Sequence, residues 1–417
     1  MLKHRIQCDV AVVGGGVAGL SMATELKRLG VQDVLVIERE ANAGGVPRHC
    51  GHYPFGWKEF RRVLKGPEYA ARIVTDAKAA GVRVRTGTSV NQLHEGGRLS
   101  LSDYNGVGDL IANRVVLCTG TREGTRAQRF LGGHRPQGIL PTGAVQSMAY
   151  LHAMRPFRRP VILGTELVSM SAITMCRHMG IRPVAILEEN SRTTVPTFMR
   201  AYPLLHRIPM YLQVKDVLIH GKQQVHAVEF TDATGKRKSI EADGVIVSGQ
   251  FRPESALLRG SHLEIDPATG GPVVDQFYCT SDPTYYCSGN LLRPVESSTW
   301  CWEEGRATAR TLANQMLHKV PEKTDISLKL ELGHPALKLV VPQKVTVSKH
   351  PSGMHSLQLR VNEPVDAQLV IKNANDRIWS GKLNSLPERR RLIPIQPLLA
   401  YAAACKANTA IQLCLEG

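Results

Sequence analysis

Cys8-Asp9-Val10-Ala11-Val12-Val13-Gly14-Gly15-Gly16-Val17-Ala18-Gly19-Leu20, followed by Val34-Leu35-Val36-Ile37-Glu38, is the stretch that decides the fold. An apolar run that ends in a glycine cluster reads as a buried parallel strand with a tight turn after it. From Val17 to Leu29 the apolar positions Leu20, Ala23, Leu26 and Leu29 recur at helical spacing, and Gly30 closes the helix. The second apolar run ends at Glu38, nineteen residues beyond Gly19, and completes a βαβ unit. In Gly14-x-Gly16-x-x-Gly19 the first glycine permits the turn, the second lets backbone approach a pyrophosphate, and the third lets the helix pack on the strand. The helix N-terminus offers free N–H groups and a positive dipole to phosphates, while Glu38 is placed to accept from ribose hydroxyls and to disfavour a 2′-phosphate. This predicts a dinucleotide-binding domain that uses Gly14, Gly16, Gly19 and Glu38, with Arg39 beside the carboxylate.

Working outward, further strands are expected over 81–84 and 114–117. A second strand–turn–helix–strand unit opens at Val161-Ile162-Leu163-Gly164, continues through a helix from Leu167 to Met179 and returns over 184–187 before Glu188, with a closing strand in 242–249. Its turn reads Gly164-Thr165-Glu166-Leu167-Val168-Ser169, so Glu166 stands where a nicotinamide-binding loop has its second glycine. A carboxylate there blocks backbone approach and repels the pyrophosphate. The expectation is a domain that keeps the fold without binding NAD(P)H; a glutamate can also serve there as a helix N-terminal charge. A helix follows over 296–317, then a Pro/Glu/Lys-rich link near Pro321-Glu322-Lys323. Beyond it Leu357, Leu359 and Val361 alternate with Gln358 and Arg360, a turn falls near Asn373-Ala374-Asn375-Asp376, and Ile411-Gln412-Leu413-Cys414-Leu415 reads as another strand. The expected division is an α/β chain with a discontinuous first dinucleotide-binding domain over 1–125 and 278–320, a second over 126–277, and a small antiparallel β-sandwich over 335–417.

The 417 residues are 43% hydrophobic and 21% charged, ordinary for a globular chain, and only 5% aromatic, which disfavours readers of single-stranded nucleic acid. Lysine plus arginine number 52 against 36 acidic residues, a formal charge of +16 that favours an acidic partner, an anionic surface or an anionic substrate. No helix–turn–helix or zinc-finger spacing is present, so nucleic acid is not an expected partner. The nine cysteines include no C-x-x-C and sit mostly in apolar runs, as reduced thiols do, which predicts neither a disulfide framework nor a metal site. No run of about eighteen apolar residues occurs, and the first residues lead straight into a strand; a cytoplasmic protein, with peripheral contact at the inner membrane face as a further option, is expected.

Cys118-Thr119-Gly120-Thr121-Arg122 after a buried strand, and Thr280-Ser281-Asp282-Pro283-Thr284-Tyr285-Tyr286-Cys287-Ser288-Gly289-Asn290 before a helix, resemble the second and third fingerprints of the glutathione-reductase-like flavoproteins, which have two dinucleotide-binding domains. The resemblance covers about residues 8–320 and implies FAD as cofactor, with Thr119, Gly120, Gly289 and Asn290 added to the binding residues. In that class the third fingerprint usually ends Gly-Asp and the aspartate binds the ribityl chain; Asn290 keeps hydrogen-bonding capacity without the charge. The following helix would aim its N-terminus, near Glu296-Ser297-Ser298-Thr299, at the flavin. Disulfide reductases of the class carry C-x4-C, whereas this chain has Gly44-Gly45-Val46-Pro47-Arg48-His49-Cys50-Gly51-His52 with one cysteine. Gly45 and Arg48 belong to this flavin-side loop, and Arg48, His49 and His52 could hold an anion or lower the Cys50 pKa.

Within the class, Gly45-Val46-Pro47-Arg48, the segment Arg135-Pro136-Gln137-Gly138-Ile139-Leu140-Pro141-Thr142-Gly143-Ala144-Val145-Gln146 and Trp300-Cys301-Trp302-Glu303-Glu304-Gly305-Arg306 resemble the FAD subunits of multi-subunit bacterial opine and amino-acid dehydrogenases and of hydrogen cyanide synthase, and the flavoproteins that accompany glycerol-3-phosphate dehydrogenases. Many of those end in a cysteine cluster for a [2Fe–2S] centre; here only Cys405 and Cys414 lie near the end. The expected function is an FAD-dependent dehydrogenase or electron-transfer subunit that oxidises a small molecule and passes electrons to a partner in a hetero-oligomer, or to a quinone, with His49, Cys50, His52 and Glu303 as candidate catalytic residues. An NAD(P)H-dependent single-cysteine reductase or peroxidase using Cys50, and a flavin-bound assembly subunit, are the alternatives.

Overall fold

The computed structural model describes residues 6–317, 326–347, 353–374, 376–405 and 407–416. They fall into two compact units, one within Met1–Gly45, Ala70–Thr121 and Pro253–Gly417, the other formed by Val46–Tyr69 and Arg122–Arg252. This division corrects the expected one: 46–69 folds with the second dinucleotide-type domain and 253–277 with the first. The reason is packing, since Gly51 lies flat on the Tyr150 ring, where a Cβ would come within 2.2 Å, and Gly271 lies on the Leu291 carbonyl, also at 2.2 Å.

In the first unit, β1 (Ile6–Val13) runs parallel to β2 (Val34–Ile37) on one edge and to Gly106–Leu117 on the other. Apolar side chains are therefore needed on both faces, and Val10 to Val13 are at most 5% exposed. The sheet order is Arg83–Arg85, β2, β1, Gly106–Leu117, Arg98–Asp103, Ser89–Leu93, and Tyr285–Cys287 also pairs with Gly106–Leu117. α1 (Val17–Arg28) crosses Ser298–Leu317 closely because Gly305 lacks a side chain: a Cβ there would sit 2.4 Å from the Ala18 carbonyl oxygen.

The second unit repeats the winding. Its five-stranded parallel sheet runs Met210–Tyr211, Ala185–Leu187, Pro160–Leu163, Gly244–Val247, Ile139–Pro141, and helices Thr142–His152 and Leu167–His178 belong to the same unit. A second sheet, Arg237–Glu241, Val225–Thr231, Lys215–Gly221 and Gly132–Gly133, shares its apolar core.

The C-terminal region is β-rich, with a five-stranded sheet (Lys344–Thr346, Ser327–Leu332, Thr409–Glu416, Val365–Asn373, Asp376–Ser385), a three-stranded sheet (Leu337–Val341, Ser356–Val361, Arg391–Pro394) and one helix, Gln396–Ala404. Leu328, Leu330, Leu357, Leu359, Leu369, Ile371, Ile411 and Leu413 fill the space enclosed by these elements. Two expectations change. The region starts before 335, at Ser327, where Leu328 and Leu330 alternate with Lys329 and Glu331. It is also not purely antiparallel, because Ser327–Leu332 pairs parallel with Thr409–Glu416. The link near Pro321 and residue Asn375 lie outside the described residues. Among the described residues no helix is long and apolar enough to cross a membrane, and no cluster of three metal-ligating side chains occurs.

Candidate functional site

The first glycine turn is built by steric exclusion. Gly14 takes φ +109°, and a Cβ on it would lie 2.4 Å from the Cys118 carbonyl oxygen; on Gly19 it would lie 2.0 Å from the Gly14 carbonyl oxygen. Glycine is required at both. Gly16 differs, for a Cβ there would meet only the Gly45 Cα, at 3.9 Å, so the space in front of it is open. Gly45, at φ +63°, crosses Gly16 so closely that its own Cβ would fall 2.8 Å from the Gly16 Cα. Gly16 is also the N-cap of α1, and no side chain caps that end, which leaves the first-turn N–H groups for an anion.

At the end of β2 the buried Glu38 accepts from Gly15 N through Oε2 at 2.8 Å and from Glu40 N through Oε1 at 2.9 Å. Each oxygen keeps a lone pair for a ribose hydroxyl. Arg39, next in the chain, is exposed. Thr119 Oγ1 donates to the Glu254 carbonyl at 2.8 Å, and Gly120, at φ +77°, accepts from Glu254 N at 2.9 Å with open space where a Cβ would be. Gly289, at φ +81°, abuts Ala18 at the start of α1, 2.7 Å from the Ala18 Cβ to its own would-be Cβ. Asn290 Oδ1 accepts from Glu296 N at 2.9 Å and its Nδ2 donates to the Glu296 carbonyl at 3.3 Å, so the amide first of all closes its own loop. An open glycine turn, an uncapped helix end and a fixed ribose-side carboxylate fit the dinucleotide part of FAD.

The candidate catalytic residues do not share a unit. Glu303 lies on Ser298–Leu317 in the first, whereas His49, Cys50 and His52 lie in the second, in and just after the short 3-10 turn Val46–His49 that also holds Arg48. His52 Nδ1 is 3.0 Å from the Tyr53 carbonyl oxygen. Cys50 is buried, its thiol donates to the Val46 carbonyl at 3.4 Å, and burial, helped by the Glu123 carboxylate, pushes it up to about 12. The expectation that Arg48, His49 and His52 lower this pKa is overturned: burial governs the thiol, and the charge that acts on it, the Glu123 carboxylate, raises it further.

The second turn is filled by its own glutamate. The Glu166 side chain lies over Gly164 and Gly249: a Cβ on Gly249 would come within 2.0 Å of the Glu166 Cδ, and one on Gly164 within 2.7 Å of Oε2. Oε1 accepts from Gln250 N at 3.3 Å, Oε2 is sequestered without a hydrogen bond, and burial pushes the carboxyl up to about 7. Glu188, the counterpart of Glu38, accepts from Thr165 Oγ1 through Oε2 and from Asn190 N (3.0 Å) and Nδ2 (2.7 Å) through Oε1. Sequence reasoning missed Glu123, which is buried and accepts from Gly143 N at 2.6 Å and from Gly249 N at 3.1 Å, with burial raising its carboxyl. Its one signal was an acidic residue among Arg122, Arg126 and Arg129 directly after the second fingerprint.

A family model described as pyridine nucleotide-disulphide oxidoreductase matches residues 8–305. The chain is 23% identical over 337 residues to the glutamate synthase (NADPH) small chain of Escherichia coli (strain K12), covering 73% of this chain and 68% of that one. It is 27% identical over 273 residues to the sarcosine oxidase subunit alpha of Corynebacterium sp. (strain P-1), where it covers 60% of this chain and spans only 27% of that subunit. Among solved structures, thioredoxin reductase of T. acidophilum superposes with a TM-score of 0.62 at 24% identity, over 74% of this chain and 98% of that one. L-proline dehydrogenase from P. horikoshii does so with a TM-score of 0.55 at 18% identity, over 75% and 56%. The shared fold is the one the three fingerprints predict.

Proposed function

The chain belongs to the pyridine nucleotide-disulphide oxidoreductase family and is an FAD-dependent oxidoreductase, and from that premise we propose that it oxidises a small metabolite and delivers the electrons to a partner protein or a quinone rather than to NAD(P). Glu166 carries this reading, since its side chain occupies the turn where a nicotinamide dinucleotide would set its pyrophosphate. FAD, when bound, supplies hydride acceptance and onward electron transfer. The protein's part is to bind and orient: backbone at Gly16 gives close approach, the α1 N-terminus offsets phosphate charge, and Glu38 accepts from ribose hydroxyls. His49, His52 and Glu303 stay as the proton-accepting candidates.

The curated relatives named above as a small chain and a subunit support a hetero-oligomeric partner. The excess of 52 basic over 36 acidic residues supports contact with an acidic protein or, from the cytoplasm, with the inner membrane face. The likeness to sarcosine oxidase subunit alpha supports a secondary amine or an amino acid as the substrate class. A reductase working through Cys50 finds less support, because the thiol is buried and burial pushes it up to about 12, which disfavours the reactive thiolate. The test is anaerobic bleaching of the purified yellow protein by a panel of N-methylated and cyclic amino acids, with glycerol phosphate as a further arm. Bleaching by a panel compound and not by NADH is expected; bleaching by NADH alone sinks the proposal.

A further inference from the structure

The C-terminal β region holds the loop that carries the third flavin fingerprint, and two of its arginines do the holding. The loop runs from Gly289-Asn290 to Glu296, immediately before Ser298–Leu317. Inside the first unit it is tied by Arg293, a fully buried side chain that donates to the Gly289 carbonyl at 3.2 Å and to both Glu304 oxygens at 3.0 and 2.8 Å. Glu304 in turn accepts from Gly289 N at 3.0 Å.

The far end of the loop is tied from the β region. Arg360, on Ser356–Val361 and 2% exposed, donates to the carbonyls of Pro294 and, at 2.7 Å, Val295, and pairs with Glu296 Oε1 at 2.6 Å. Arg390, just before Arg391–Pro394, pairs with Glu296 Oε2 and stacks on the Trp300 ring with its guanidinium carbon 3.4 Å from the centroid. Val295 is a β-branched residue at φ +64°, a conformation that persists only where surrounding contacts fix it. Glu296 is at once the residue whose backbone N and O bracket the Asn290 amide and the one whose carboxylate both arginines grip.

The docking is not a loose tether. Gln276 exchanges two hydrogen bonds with the Thr346 backbone, at 2.6 and 2.8 Å, Gln343 Oε1 accepts from Val274 N at 3.0 Å, and Leu339, Val341 and Met354 lie in the nucleotide domain's own core cluster. We propose that the C-terminal β region is a clamp for the flavin site, with Arg360 and Arg390 as positioning residues that act through Glu296 on Asn290 and so set FAD affinity and the flavin's potential. This gives a role to a region that the dinucleotide fold itself does not need.

The experiment is titration of apoprotein with FAD, followed by the visible spectrum and midpoint potential of the bound flavin. It compares wild type with Arg360→Met, Arg390→Met, Arg390→Lys and a control in the same region, Lys382→Met, whose ion pair with Asp366 is exposed. Both methionine variants are expected to weaken FAD by about tenfold to a hundredfold and to shift spectrum and potential, because the loop that carries Asn290 would no longer be held preorganised through Glu296. Arg390→Lys is expected to recover part of the loss, because charge is kept while the planar stack is not. Lys382→Met is expected to match wild type. Arg390 keeps a partly exposed side chain, so its variant decides the matter should Arg360→Met fail to fold. A lowered melting temperature with FAD affinity within about twofold of wild type, and an unmoved spectrum and potential, would make the arginines structural only and overturn the proposal.

Discussion

The turns at Gly14 and at Gly164 are alike in backbone conformation and differ in what occupies them. Gly14 and Gly164 share φ values of +109° and +107°, and each turn leads into a twelve-residue helix through an extended N-cap residue, Gly16 in one and Glu166 in the other. The strand-end carboxylates differ as well: Glu38 is fixed by two backbone N–H groups, whereas Glu188 is engaged by Thr165 and by the main and side chain of Asn190. On the proposed function, fold and binding are separable in one motif: the first glycine serves the turn, and the residue two places on sets how closely a pyrophosphate could approach.

The sharpest way to break the comparison is to move one turn's residue into the other. Gly16→Glu is expected to cost at least about a thousandfold in FAD affinity, the size of an uncompensated buried like charge, and to yield a colourless preparation by absorption. Next, Gly14→Ala and Gly164→Ala should each destabilise by about 2–3 kcal/mol in thermal unfolding, since a positive φ and a carbonyl within 2.4 and 2.7 Å oppose each methyl. Only the Gly14 variant should also lose FAD; loss from both would mean that the second turn is not independent of the flavin.

Glu166 gives a smaller, pH-dependent effect. Burial pushes its carboxyl up to about 7 from an ordinary 4.5, so the cost of burying its charge is absent below about 4.5 and is fully felt once pH has risen through 7. Glu166→Gln should therefore be more stable than wild type at pH 8 by roughly 1–3 kcal/mol in thermal unfolding, with the gap closing towards pH 4.5. A gap independent of pH would mean that the carboxylate is solvated. Smallest of all, Cys50→Ser should leave flavin reduction by an active panel compound within about twofold, as expected of an inert buried thiol.

Much of this was legible in the sequence because it is local. Glycine spacing, the apolar runs on either side and Glu38 lie within one βαβ unit, and steric exclusion at Gly14 and Gly19 is a property of that turn alone. The partition of the chain was not legible, because the attachment of 46–69 to the second unit depends on Gly51 meeting the Tyr150 ring, a contact across about a hundred residues. For the same reason the Arg293, Glu296, Glu304, Arg360 network was invisible: each residue alone reads as solvated surface, and only tertiary packing buries them together. Cys50 misled because its basic neighbours in sequence are not what governs its thiol; burial is.

Rapid anaerobic mixing of the FAD-loaded protein with NADH and with NADPH, followed by flavin absorbance, tests the blocked second turn most directly. No flavin reduction within the time of turnover and no saturable binding of either nucleotide is expected. Fast, saturable bleaching by one of them would contradict it, and would mean that the Glu166 side chain leaves the turn to admit a pyrophosphate.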